Sequence, residues 1–137
     1  MPADATPSIV VLAAVIERGD RLLVTRRLKD THLSGYWEFP GGKCQPDETH
    51  EQCLARELRE ELGIDAEIGA EILATAHTYA DRTVVLHFRW CTLAENPTPL
   101  LGQEMRWVTR AELRSLQLPE ADRALIDLLT GVSPPVP

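Results

Sequence analysis

The chain reads as one α/β domain, a mixed β-sheet sandwiched between α-helices (α/β/α), and three observations lead there. At 137 residues it is long enough for one sizeable core and too short for two domains of ordinary size. Its composition, 44% hydrophobic and 26% charged, is that of a globular chain that folds in water. Its segments run as two strands, a helix, further strands and terminal helices, an order that leaves a sheet with two faces for helices to cover. We place the domain at residues 8–130, between flexible tails at 1–7 and 131–137.

The elements follow in order. "SIVVLAAVI" (8–16) is aliphatic and β-branched, "ERGD" turns the chain, and "RLLVTRR" (21–27) returns as the second strand of a hairpin. The next stretch, "LKDTHLSGYWEFPGGK", reads as irregular, because Pro40, Gly41 and Gly42 oppose regular structure and let backbone come close to a neighbour. Within it Trp37 and Phe39 flank Glu38 as alternating aromatics, the pattern of core residues. Thr49 followed by Gln52 makes a capping box and Gly63 suits a helix C-cap, so a helix is expected over about 50–62. "AEIGAEILATAHTY" and "RTVVLHFRWCTL" read as strands around an Ala80-Asp81 turn; their His77 and His87 have no ligand-spaced partner and are assigned no chemistry. "GQEMRWVT" is a short strand, Thr109 and Glu112 make a second capping box, and "PEADRALIDLLTG" is a short amphipathic helix closed by Gly131.

Composition also excludes classes of function. No window approaches the run of about 20 apolar residues that a membrane span needs, and "MPADATPS" has neither the basic start nor the apolar core of a secretory signal. Three cysteines, an odd number in no metal-ligand spacing, make no disulfide framework, which points to a reducing cytoplasm. A net charge of -7 opposes sequence-independent nucleic-acid binding, so a phosphate ligand would have to be met by local cations.

The central helix poses the functional question. Leu54, Leu58 and Leu62 form one apolar stripe, and Glu57, Glu60 and Glu61, at i, i+3 and i+4, fill an adjacent arc of roughly 100°. Neighbouring carboxylates repel by roughly 3 kcal/mol at an effective dielectric near 20 and by under about 1 kcal/mol in water. Taken alone, the acids are either a solvated face trimmed by Arg56 and Arg59 or a cleft cluster that needs a compensating cation.

The surrounding spacing goes further. Gly42, five residues, Glu48, seven residues, Arg56-Glu57-Leu58, one residue, Glu60-Glu61, one residue and Gly63-Ile64 match all nine specified positions of the Nudix box. The chain therefore resembles the Nudix hydrolases, and "WEFPGGK", "VTRR" and "LPEAD" resemble their MutT-like branch, over about residues 8 to 129. The resemblance implies the Nudix fold and hydrolysis of a nucleoside triphosphate, normal or oxidised (8-oxo-dGTP or CTP type), to monophosphate and pyrophosphate. Nucleotide sugars and dinucleoside polyphosphates are alternative substrates, and a nucleotide-sensing module without catalysis is the alternative role.

It implies site residues as well. Glu57, Glu60 and Glu61, with the carbonyl of Gly41, would hold Mg²⁺, with Mn²⁺ as a substitute, and Glu57 could instead orient or deprotonate the attacking water. Hard cations of this kind take oxygen ligands and bridge carboxylates to phosphates. Glu48 and Arg56 would tie loop to helix, with Gly42 and Gly63 as structural positions of the box. Lys43 and Arg27 would meet phosphates or the nucleotide, and Tyr79 would supply a ring to the base. The partner is a small nucleotide, without nucleic acid or membrane, and the chain would act as a monomer or weak homodimer.

Two positions depart from the pattern. Many MutT-like sequences carry a further glutamate six residues ahead of the tryptophan matched by Trp107; here that place is Leu101, so either Glu104, the nearest acid, takes over as metal ligand, which is the expectation, or the box carboxylates and water serve alone. MutT itself carries an asparagine where this chain has Asp122, and an aspartate there resembles the MutT-like enzymes that take cytidine-type and damaged nucleotides. An ionised aspartate only accepts hydrogen bonds, which suits an exocyclic amine of the cytosine type.

Overall fold

A computed structural model of the chain describes residues 8–29, 31 and 33–131; the expected N-terminal tail, and all of the C-terminal tail after Gly131, lie outside these residues. Its elements are β1 (Ser8–Arg18), β2 (Arg21–Arg26), β3 (Trp37–Glu38), β4 (Gly41–Lys43), α1 (His50–Leu62), β5 (Ala66–Thr78), β6 (Thr83–Leu93), β7 (Met105–Thr109), α2 (Arg110–Leu113), a 3-10 turn (Glu120–Asp122) and α3 (Arg123–Leu129). No helix among the described residues is long and apolar enough to cross a membrane.

Strand β1 organises the sheet. It pairs in parallel with β6 from Ser8↔Thr83 to Ile16↔Cys91, and β6 pairs antiparallel with β5. Past Ile16 it changes partner, so the hairpin with β2 is confined to Glu17↔Leu22 and Arg18↔Arg21. Strand β2 in turn pairs with β3 and β7. Because successive strand residues point to opposite faces, β1 feeds two cores. Leu12, Ala14 and Ile16 pack with Leu54, Leu58 and Leu62 of α1, whereas Ala13 and Val15 pack with Phe39, Phe88, Leu113 and residues of α3. The leucine stripe is wholly buried, each side chain contributing about 1.5–3 kcal/mol. Helices thus cover both faces, as the segment order requires.

Helix α1 begins and ends on its caps: Thr49 and Gln52 complete the capping box, and Gly63 closes the helix in the left-handed conformation at φ 67°. The stretch expected to be irregular needs correction, because it contains β3 and β4. Gly41 and Gly42 do not end regular structure; they permit it. A Cβ on Gly41 would lie 2.0 Å from the Leu12 carbonyl oxygen, so only glycine lets β4 pair with β1 at Ala13↔Gly41 and Leu12↔Gly42.

A second correction concerns the cysteines. Cys44 and Cys53 form a disulfide with a Cα–Cα distance of 5.2 Å, well within bridging range, and Cys91 is free and buried. The odd total is one pair plus one core thiol. The bridge fastens the loop that leaves β4 to the second turn of α1.

Candidate active site

The face of β1 and β6 opposite α1 is the floor of an open cleft of about 600 Å³, large enough for a nucleotide. Ile9 and Val11 from β1, with Val84, Leu86 and Phe88 from β6, give it an apolar base, and Phe39 meets Phe88 edge to face at 6.0 Å. Glu57 and Glu61 enter this cleft beside Gly41, Gly42 and Lys43. The space is left by glycine: a Cβ on Gly42 would stand 2.3 Å from the Glu57 carboxyl carbon.

Acids that would repel in water are here forced together. Glu61 shares a hydrogen bond with Glu57, and its carboxyl is pushed up to about 9 by burial first, then by Glu57 and by the charge of Glu38, against one amide bond from Gly41. Arg56 Nη1 donates to Glu57 Oε1 at 2.9 Å and to Glu60 Oε2 at 3.1 Å, so one guanidinium nitrogen lies between two carboxylates of the box. The Glu60 side chain is otherwise exposed and lies outside the cleft lining. The three acids thus form a chain, Glu61 to Glu57 to Arg56 to Glu60, with its inner end half-buried.

Arg56 is itself held by Glu48, with Nε donating to Oε2 at 2.5 Å and Nη2 to Oε1 at 2.8 Å, and Nη2 also donates to the Lys43 carbonyl oxygen. These bonds hold the Glu48 carboxyl down at about 2. Loop, strand β4 and helix α1 are therefore locked together around the carboxylates, by this ion pair and by the disulfide.

The other expected site residues divide. Arg27 lines the cleft and donates to Glu38 Oε1 at 2.8 Å, and Lys43 lies exposed at the cleft edge. Asp122 is in the cleft wall but 5% exposed, and burial, followed by repulsion from Glu38, pushes its carboxyl up to about 7. Burial thus opposes the ionised form expected from the sequence and favours the protonated one, which can donate as well as accept. Tyr79 is not brought to the cleft; its ring meets that of His77 at 4.6 Å, tilted by 58°, and Arg82, which does line the cleft, lies 5.7 Å from the Tyr79 ring. Glu104 is likewise absent from the lining, 61% exposed and paired with Arg26 at 2.9 Å.

The residue that sequence reasoning missed is Gln103. It is buried in the cleft wall, donates from Nε2 to the Glu61 carbonyl oxygen at 3.1 Å and accepts from the Leu101 amide at 2.9 Å. With Leu100 N–H on the Glu61 carbonyl and Thr98 N–H on that of Leu62, it satisfies the end of α1 and fixes the Glu61 backbone. A lone glutamine in a loop carries no signal of this in the sequence.

Comparison with known proteins agrees with this geometry. A family model described as the NUDIX domain matches residues 11–128. A CTP pyrophosphohydrolase of Escherichia coli K12 is 44% identical over 79 residues, 58% of this chain and 58% of its own, so the match spans little more than half of that relative. A putative 8-oxo-dGTP diphosphatase of Mycobacterium tuberculosis is 37% identical over 123 residues, covering 85% of this chain and 84% of its own. Among solved structures, the ORF135 protein of E. coli superposes with a TM-score of 0.85 at 32% identity, covering 96% of this chain and 95% of that one.

Proposed function

The chain belongs to the Nudix hydrolase family, which acts on acid anhydrides, and on that premise we propose that it hydrolyses a nucleoside triphosphate to the monophosphate and pyrophosphate with the help of Mg²⁺. The observation that carries the reading is the half-buried Glu57–Glu61 pair beside Gly41, in a cleft of nucleotide size. Two carboxylates that share a hydrogen bond out of water are costly unless a cation takes the place of the proton. The donor set fits a hard divalent ion: Glu57, Glu61 and the Gly41 carbonyl, with Glu60 at the outer end of the same chain of acids, offer only oxygen, and among the described residues no imidazole or thiol lines this cleft. The bound ion would supply neutralisation of the phosphate oxygens and a more acidic water.

The chain's own groups do the rest. A Glu57 oxygen accepts the proton of the attacking water as the water oxygen bonds to the phosphorus on one side of the α–β anhydride; the P–O bond on that side breaks, and the monophosphate and pyrophosphate separate. Lys43 at the cleft edge and Arg27 counter the phosphate charge of a substrate approaching a chain of net charge -7. The apolar floor from Ile9 to Phe88 receives the base and excludes water, and Asp122 meets the base edge. Glu104, paired with Arg26, contributes no ligand.

For the substrate we propose cytosine-type and oxidised guanine-type triphosphates, a choice supported by the relatives' names; acting on the oxidised type, the enzyme would cleanse the nucleotide pool. A panel of normal and oxidised nucleoside triphosphates, scored for pyrophosphate against orthophosphate, tests this. Pyrophosphate with a preference for either type supports the proposal, and turnover only of nucleotide sugars or dinucleoside polyphosphates contradicts it.

A further inference from the structure

We propose that His50, Glu71 and His87 form a second metal site, one that takes a zinc-class transition-metal ion rather than magnesium. The three side chains come from different elements, the first residue of α1, β5 and β6, and one ligand atom from each lies within 4.8 Å of the others. His87 Nδ1 stands 2.6 Å from Glu71 Oε1, and the His50 and His87 rings lie 4.4 Å apart.

This site is separate from the cleft. His87 pairs with Leu12, a residue of the α1-side core, while its neighbours Leu86 and Phe88 face the opposite way into the cleft. His50 precedes Glu57 by seven residues, about 10 Å along the helix axis. The chemistry differs too. Two imidazoles and one carboxylate form a borderline-soft set of three protein ligands, with a fourth position open to water, which suits zinc and is a poor match for magnesium.

The electrostatic surroundings permit a cation. Arg89, two residues along β6 from His87, is engaged by Glu51 at 2.5 Å and by the Gly69 carbonyl at 2.8 Å. Glu71 and Glu51 offset the positive end of α1 beside His50. Tetrahedral zinc spaces its ligand atoms by roughly 3.3 Å, so the separations of up to 4.8 Å must close and the 2.6 Å contact between His87 and Glu71 must open, on side chains that are only partly buried or exposed. An ion held there would clip the first turn of α1 to β5 and β6, and so brace the helix that carries Glu57 and Glu61.

The test is calorimetric titration of the full chain with ZnCl₂ in excess Mg²⁺, which keeps the cleft carboxylates occupied. Wild type should bind one equivalent with a dissociation constant on the order of micromolar or tighter, and His87→Gln and Glu71→Gln should each weaken it at least about tenfold. With zinc near a hundred times that constant, the unfolding midpoint of wild type should rise by about 5 °C or more, and that of His50→Gln/His87→Gln should not move. Cobalt in place of zinc should give tetrahedral visible bands in wild type only. Absence of zinc binding in folded wild type overturns the proposal. So does zinc retained by His50→Gln/His87→Gln but lost on Glu57→Gln, which would place the ion in the cleft.

Discussion

Adding one methyl group at Gly42 gives a sharp test of how the box positions its acids. The Cβ of Gly42→Ala would lie 2.3 Å from Glu57 Cδ, 2.4 Å from Oε2 and 2.7 Å from Oε1, whereas ordinary contact begins near 3.4 Å. The carboxylate must therefore retreat by about 1 Å, and a displacement of that size at a reacting group costs on the order of a hundredfold in rate. Glu57 is a side chain and can yield, so overpacking should cost the fold only about 1–3 kcal/mol. Gly41→Ala is the control. Its Cβ would meet the Leu12 carbonyl oxygen at 2.0 Å and Ala13 Cα at 2.8 Å, backbone that cannot move without parting β4 from β1. The assay is pyrophosphate release at saturating Mg²⁺, alongside thermal unfolding. Gly42→Ala should fold with kcat lowered by about a hundredfold, and Gly41→Ala should lose about 10 °C or more of its midpoint. Gly42→Ala with kcat within about threefold of wild type would refute the claim that glycine there makes room for a working carboxylate.

Further outcomes follow from the same geometry. Glu60→Gln should keep its fold, since the leucine stripe is untouched, and lower kcat by about a hundredfold, whereas Glu104→Gln should change it by less than about threefold; the reverse order would move the ligand from helix to loop. The Glu61 carboxyl, raised to about 9 in the fold, holds a proton that the unfolded chain releases near its ordinary 4.5, so its contribution to stability is fully present below about 4.5 and is lost as pH rises from there through about 9. Calorimetry of the metal-free protein should show the unfolding midpoint falling between pH 6 and pH 9, with a shallower fall in Mg²⁺ or in Glu61→Gln. Asp122, raised to about 7, donates below that pH and only accepts above it, so the dGTP to dCTP ratio of kcat/KM should fall by about fivefold to tenfold from pH 6 to pH 8 and stay flat in Asp122→Asn. Reducing the Cys44–Cys53 bridge, which closes a loop of separation 9, should cost roughly 2.6 kcal/mol in denaturant unfolding; thiol titration before reduction should find only Cys91.

What the sequence showed depended on whether the cause was local. Helix α1 was legible because its caps and its leucine stripe are set by residues three or four apart. The hairpin and the β5–β6 pair were legible through their turns. Strand β4 was not, since glycine in a strand becomes an asset only when β1 crowds it, a contact made across some thirty positions of chain. The same distance hid the role of Gln103 at the Glu61 carbonyl and the meeting of His50 with Glu71 and His87. Motif spacing placed the box acids and Arg27, Lys43 and Asp122 in or beside the cleft, yet it could not tell that burial would change the charge of Asp122. It also could not foresee that Glu104 would be engaged by Arg26, or that Tyr79 would meet His77 away from the base floor.

The central claim is that the half-buried Glu57–Glu61 pair is the cation-dependent hydrolytic centre, and turnover of Glu61→Gln at saturating Mg²⁺ tests it most directly. The account predicts a folded variant whose kcat for pyrophosphate release is lower by about a hundredfold or more. A folded Glu61→Gln variant that releases pyrophosphate at near the wild-type rate, with the same Mg²⁺ dependence, would contradict it.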